Sequence, residues 1–397
     1  MKSRLLTGIN DVILSTDFSY QVASGYRVRF GGVGTYHHLR PNDEFYERID
    51  DEEVLTRSYS SQTHAFENAL YMEHELTNEY FGLNAGLRLS NFIVDQKVYN
   101  YLEPRVSINI PVQSDLSLKG SYARSNQFMH LLSYSGAGLP ADYWMPSTAG
   151  VSPSRANQYT LGVAKTFEGG LYQLSVEGYR KELQGMIAFK PGASLVGNLS
   201  SWEDVIFSHG KGLNYGVEVF LQKSRGRSTG WAGVTLSKAE RQFQELNSGK
   251  SFPFKYDRLL DISLVWNREV TKNLLLSATW TYGTGYPITL ASERYIAEGV
   301  EVFVFNGVNN HRMRDYHRLD FSVSLPRETT WGESMWSFSI FNLYNRRNPY
   351  YYFYDKRVVR VEENAEGIPT QAIYGPWKLY QRSLFGFFPS LSYSFKF

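Results

Sequence analysis

The chain of 397 residues contains no cysteine, so it has neither a disulfide framework nor thiolate ligands for a metal. It also lacks any run near the ~18 apolar residues that a membrane-crossing helix needs, which excludes a helical membrane protein. A formal charge of only +2 gives no electrostatic footprint for nucleic acid. There is no Gly-x-Ser-x-Gly, no His-Glu-x-x-His and no paired carboxylates with a shared pocket, so the chain does not read as an enzyme. Gly31-Gly32-Val33-Gly34 is followed by neither Lys-Ser/Thr nor a helical pattern, and is not a phosphate loop. Met1-Lys-Ser-Arg-Leu-Leu-Thr-Gly is basic but lacks the roughly 7 to 15 apolar residues of a secretory signal. The expectation is therefore a piece of a longer precursor, or a split or mispredicted reading frame.

What the chain has in excess is aromatic residues: 8 Trp, 29 Tyr and 25 Phe, or 16% of the total, more than a globular core consumes. Residues 383–397 place Phe385, Phe387, Leu391, Tyr393, Phe395 and Phe397 on one parity and mostly small or polar residues on the other. That is a strand with one apolar face, and the pattern recurs along the chain without a second set of apolar segments to cover it. Lipid is the cover that remains. A closed antiparallel barrel then satisfies every backbone group, and its girdles account for the aromatics.

Period-2 segments between turn signals predict about fifteen strands, at 7–21, 25–39, 58–76, 79–92, 98–112, 116–129, 155–168 and 171–189, then 210–224, 229–243, 256–269, 273–287, 313–325, 333–349 and 382–397. Their links alternate. Short ones such as Ala23-Ser24-Gly25, Gln113-Ser114-Asp115 and Thr271-Lys272 alternate with long ones near 40–57, 130–154, 190–209, 244–255, 288–312 and 350–381, and only the link at 93–97 is short where a long one is due. Outer-membrane barrels combine short periplasmic turns with long extracellular loops, so the C-terminus is placed in the periplasm. Register follows from charge. Leu319, Phe321, Val323 and Leu325 are set toward lipid and Arg318, Asp320, Ser322 and Ser324 toward the lumen, because a buried Asp320 in lipid is expensive. Val217, Val219 and Leu221 are likewise lipid-facing, as are Leu274, Leu276, Ala278, Trp280 and Tyr282.

Several stretches resemble the C-terminal part of TonB-dependent outer-membrane receptors. They are Leu213-Asn-Tyr-Gly-Val-Glu-Val-Phe, Gly230-Trp-Ala-Gly-Val-Thr-Leu-Ser-Lys-Ala-Glu-Arg, Phe252-Pro-Phe-Lys-Tyr-Asp-Arg-Leu-Leu-Asp-Ile, Tyr282-Gly-Thr-Gly-Tyr-Pro, Tyr316-His-Arg-Leu-Asp-Phe-Ser-Val and Phe341-Asn-Leu-Tyr-Asn. The resemblance implies a 22-stranded barrel with an N-terminal plug, of which residues 1–397 would be the C-terminal fifteen strands without plug or signal peptide. It implies uptake of a scarce nutrient: a siderophore-type iron complex, a cofactor, or a glycan or peptide fragment. Its partners would be outer-membrane lipid, the nutrient, the TonB energy-coupling complex reached through the missing plug, and a surface lipoprotein. A passive porin or structural barrel is the alternative reading.

Ligand contacts are expected in the outer loops. Tyr143, Trp144 and Met145 lie between Pro140 and Pro146, where aromatics need not face lipid. Tyr351, Tyr352 and Tyr354 belong to an aromatic run that also reads as girdle. Trp202 heads the acidic Trp202-Glu203-Asp204, which with Asp50-Asp51-Glu52-Glu53 is otherwise solvated loop. The histidines at 37, 38, 130, 209, 311 and 317 are read as surface or lumen groups, since adjacent strand residues such as His37 and His38 cannot converge on a metal. His64 and His74 are read, with Glu67, Glu73 and Glu75, as a projecting solvated arm. Neither a metal nor a cofactor is expected.

Overall fold

The structure, a computed structural model, describes residues 2–50, 53–138, 142–193, 195, 201–298, 300–363 and 369–397. Fifteen strands pair with their neighbours in chain order as an antiparallel meander. They are β1 (Lys2–Ala23), β2 (Tyr26–Asp50), β3 (Glu53–Thr77), β4 (Gly82–Val94), β5 (Lys97–Gln113), β6 (Leu116–Gln127), β7 (Ser154–Phe167) and β8 (Tyr172–Phe189). The rest are β9 (Ile206–Lys223), β10 (Ser228–Gln242), β11 (Leu260–Thr271), β12 (Leu274–Gly283), β13 (Tyr316–Thr329), β14 (Gly332–Phe341) and β15 (Phe388–Lys396). A sixteenth, Phe252–Pro253, pairs with β10 through Glu240↔Pro253 and Arg241↔Phe252. The fifteen predicted segments correspond to β1 to β15.

Three boundaries differ most. The long link expected at 40–57 is continued pairing of β2 with β3, which runs to Asp50↔Glu53. Polar residues interrupt the apolar alternation there, but a ladder needs only backbone donors and acceptors. Asp51 and Glu52 lie outside the described residues. The strand expected at 333–349 stops at Phe341 because Asn342 and Asn345 have φ of 55° and 54°. The strand expected at 382–397 begins only at Phe388. Asn342 Nδ2 donates to the Phe385 carbonyl at 3.3 Å and Asn345 Oδ1 accepts from the Phe387 amide at 2.9 Å, so Phe385 and Phe387 belong to a joint rather than to the final ladder. Asp95-Gln96, with φ of 46° and 63°, closes the short link between β4 and β5 as a two-residue turn.

Contacts divide the chain into two units: unit 1 is Met1–Tyr134, Ala141–Gln222 and Thr235–Phe254, and unit 2 is Ser135–Pro140, Lys223–Val234 and Lys255–Phe397. In unit 1 the register puts Phe18, Phe30, Met72 and Leu87 in one row across β1 to β4. This face is open: Leu14, Leu70 and Leu161 are 76%, 66% and 75% exposed. An apolar face of this extent is incompatible with water. The opposite face is ion-paired, with Arg29 3.2 Å from Glu75, Arg105 3.4 Å from Glu73 and Arg88 within 3.9 Å of Glu67 and Glu103. His37 joins it at 2.8 Å from Asp11, whereas His38 on the apolar side stacks on His64 at 4.8 Å.

Tyr26 hydrogen-bonds His74 at 2.9 Å near the short-turn end, and Tyr36 hydrogen-bonds His64 at 2.8 Å near the other. The ten residue steps from Tyr26 to Tyr36 cover roughly 33 Å of strand, or about 25 Å at a tilt of ~40°, the height of a barrel's apolar band. His64 and His74 therefore sit in aromatic girdles, and not with Glu67, Glu73 and Glu75, which are on the other face.

Unit 2 repeats the arrangement. Trp280↔Leu319, Ala278↔Phe321 and Leu276↔Val323 share one face, and Leu325↔Trp336↔Tyr393 ends it near the short turns, with the last two rings 4.7 Å apart. Arg318 and Asp320 pair at 2.9 Å on the other face. Phe321→Arg is expected to cost about 2–4 kcal/mol in a bilayer, whereas Ser322→Arg, one residue along and on the polar face, is tolerated. The folded fraction recovered in vesicles, read from heat-modifiable gel mobility, checks the contrast. Equal losses would refute the register.

Candidate functional site

The long-loop end of unit 1 carries its own small core. Met129–Ser133 and Asp142–Pro146 form a hairpin in which His130 faces Met145 and Leu132 faces Tyr143. Leu132 and Met145 are fully buried with Val151, Ile187, Leu195, Trp202 and Ile206, and Tyr143 packs on the cluster. Ser201 accepts from the Glu203 amide at 3.3 Å, starting the short 3-10 turn Trp202–Val205 that drives the indole inward. Met145 and Trp202 thus hold the loop together rather than offering a surface, and burial with the adjacent Asp142 pushes the Tyr143 hydroxyl pKa up. Trp144, at 46% exposed, is the residue of this group that an incoming ligand can touch.

His130 is buried beneath the hairpin rather than at a surface. Its ring nitrogens lie 3.1 Å from Ser147 Oγ and 3.0 Å from Ser154 Oγ, and Ser154 in turn donates to the Gly185 carbonyl at 3.0 Å. Burial lowers its pKa from 6.5 to about 4, so the neutral ring is the folded form. The folded pKa is depressed, so the stabilisation is complete above pH 6.5 and is lost as pH falls from there toward 4. The loss is on the order of 3 kcal/mol. Hydrogen exchange in the hairpin should accelerate over that window in the native chain and hardly at all in His130→Gln, and a pH-insensitive hairpin would contradict this.

In unit 2, Tyr351–Asp355 pairs with Lys378–Arg382. The Tyr352 hydroxyl accepts from the Arg314 amide at 3.0 Å and the Tyr354 hydroxyl accepts from the Ala291 amide at 3.1 Å, while Phe303 packs on Tyr354 at 5.1 Å. On the alternate face Tyr351 meets Phe353 at 5.7 Å, and Arg357 lies 4.9 Å over Tyr380. Tyr352 and Tyr354 therefore knit the loops, and Tyr351 belongs to a half-buried aromatic and cationic surface. The seven expected contacts fall into two sets, one in each unit.

The motif residues at 252–261, 282–287 and 341–345 have a structural role that spacing alone did not reveal. Asp257, 1% exposed, ion-pairs Arg312, and Arg258 pairs Asp261 at 2.5 Å while covering Tyr286 at 4.5 Å. A Cβ on Gly285 would fall 1.7 Å from the Met313 carbonyl oxygen, so only glycine fits there. At the short-turn end of unit 1, the polar face encloses a concavity of about 440 Å³ lined by Glu75, Asn84, Ser107, Lys119 and Glu177 among others. Among the described residues no group of three or more metal-ligating side chains converges.

The model of a family described as TonB dependent receptor-like, beta-barrel, matches residues 3–345. No curated protein matches the sequence. The pyoverdine outer membrane receptor FpvA of Pseudomonas aeruginosa PAO1 superposes with a TM-score of 0.61 at 13% identity, over 95% of this chain and 52% of that one. The ferric-catecholate import receptor Fiu of E. coli K12 gives 0.58 at 14%, over 94% and 54%. A mutant of the ferric enterobactin receptor PfeA of P. aeruginosa gives 0.57 at 16%, over 98% and 54%. The chain spans about half the length of these structures, and at such identities they bear on the fold alone.

Proposed function

Because the chain belongs to the family of TonB-dependent receptor-like β-barrels, whose members are Gram-negative outer-membrane receptors and not enzymes, we propose that it is the C-terminal part of an active importer that captures a scarce nutrient at its long-loop end. The observation that carries this reading is the sheet itself. One face is apolar and open, the other is ion-paired, and the packed loops crowd the strand ends opposite the short turns. The short turns and the end of β15 are periplasmic, and the long loops are extracellular. A plug precedes these strands, fills the polar side of the sheet and makes the contact with TonB. The cargo is a siderophore-type iron complex, the class named for the similar solved receptors. A cofactor, a glycan or a peptide fragment, with a surface lipoprotein beside the loops, fits the same architecture.

Uptake of iron from ferric siderophores, compared between the deletion strain and its complemented parent under iron limitation, tests this. Uptake should vanish on deletion and on collapse of the proton-motive force. Uptake that survives deletion removes the proposal, and flux that survives only the collapse makes the chain a passive pore. Peptide mapping of the polypeptide extracted from outer membranes should recover plug sequence upstream of Met1.

A further inference from the structure

One cation in unit 1 is buried without a counter-charge. Arg241, near the end of β10, is 7% exposed. Its Nη1 donates to Asn214 Oδ1 at 2.9 Å and to the Glu240 carbonyl at 2.8 Å, and the Phe254 ring lies 4.0 Å from the guanidinium carbon. Its Nε is buried with no acceptor, and among the described residues no carboxylate lies within ion-pair distance of it. Burial alone lowers its pKa to about 10. A guanidinium removed from water costs several kcal/mol unless an anion compensates, and neutral acceptors with an aromatic face compensate only partly.

Its position is on the polar face. A Cβ on Gly212 would come 2.9 Å from Arg241 Nη1 and 3.0 Å from Leu183, and a Cβ on Gly216 would come 3.0 Å from the Tyr179 hydroxyl. Tyr179 and Leu183 alternate along β8 with the parity of Glu177, which lines the polar concavity. Arg241 also lies beyond the apolar band, since Lys238 and Glu240 already pair at 2.9 Å on the other side of the strand. The glycine at 212 makes room for the planar head.

We infer that Arg241 anchors an anionic group of the captured ligand, a carboxylate or phosphate, which supplies the counter-charge that the guanidinium lacks as the ligand enters from the long-loop end. The inference rests on the import reading and narrows its cargo to anionic compounds. Phe254 and Asn214 hold the fork in a bidentate-ready orientation. Lysine keeps the charge but not the fork.

The test is isothermal titration of the full chain, purified from outer membranes in detergent, with citrate as the anionic probe and maltose as the neutral one. Citrate should bind the native chain, at least about tenfold more weakly in Arg241→Gln and at an intermediate affinity in Arg241→Lys, with maltose insensitive to both. If Arg241→Gln fails to fold, Arg241→Lys carries the comparison. Equal citrate affinity in the native and folded variant chains overturns the assignment. So does absence of citrate binding by the native chain, the result expected if an acidic side chain of polypeptide on the polar side occupies the fork. Failure here removes Arg241 from ligand capture and leaves the importer standing, whereas failed iron uptake withdraws the importer.

Discussion

Replacing Asp257 by alanine is expected to destabilise unit 2 by about 3–5 kcal/mol, the cost of stripping one partner from a buried ion pair. The carboxylate is fully enclosed and takes Arg312 Nη2 directly, while Arg312 Nη1 reaches the carbonyls of Asp257 and Gly285, each at 3.2 Å. Arg312 thus ties the segment before β11 to the turn after β12. The same turn is fixed by Asp315, which accepts from the Tyr282 hydroxyl at 2.7 Å and from the Gly285 amide at 3.0 Å. Removing the carboxylate leaves a guanidinium 29% exposed with carbonyl partners and no counter-charge. Asp257→Asn should cost less, and Asp257→Ala with Arg312→Met should recover most of the loss, because apolar replacement of both partners is often neutral. The thermal midpoint in detergent micelles reads all three. A single variant within about 1 kcal/mol of native, or a double variant as poor as the single, would show that the pair contributes little.

The strands were legible because lipid imposes parity on them. Phe321, Val323 and Leu325 alternate with Ser322 and Ser324 wherever hydrocarbon lies on one side, so a count of apolar residues at period 2 found all fifteen. Where the strands leave lipid that constraint ends, and the continued pairing of β2 with β3 past Leu39 passed for a loop. The final strand misled for the opposite reason. Phe385 and Phe387 have the right parity, but the ladder is interrupted by Asn342 and Asn345, whose left-handed backbone and amide side chains the alternation does not encode. Loop packing was least legible. Met145 and Trp202 lie 57 positions apart and have no shared period, so only the folded loops bring them together. Arg241 carried no signal either, since its meaning depends on the absence of a carboxylate beside it.

Trp202→Ala should separate the loops of unit 1 from its sheet. The indole is 2% exposed at the centre of a core that includes Leu132, Met145, Leu195 and Ile206, and truncating a buried tryptophan costs about 3–5 kcal/mol. That loss falls on a local unit: hydrogen exchange in Met129–Ser133 and Asp142–Pro146 should accelerate by roughly two orders of magnitude or more. Exchange in β1 to β5, which supply none of the residues of that core, should stay as it is. Trp144→Ala is the control, because the exposed indole can be removed without a cavity. It should leave exchange unchanged and weaken ligand capture. If Trp202→Ala leaves the hairpin protected, the hairpin is held by the sheet beneath it. If it loosens β1 to β5 as well, sheet and loops are one cooperative unit. Only the split outcome makes the loop core an independent platform on which the proposed capture surface around Trp144 can vary without disturbing the strands below.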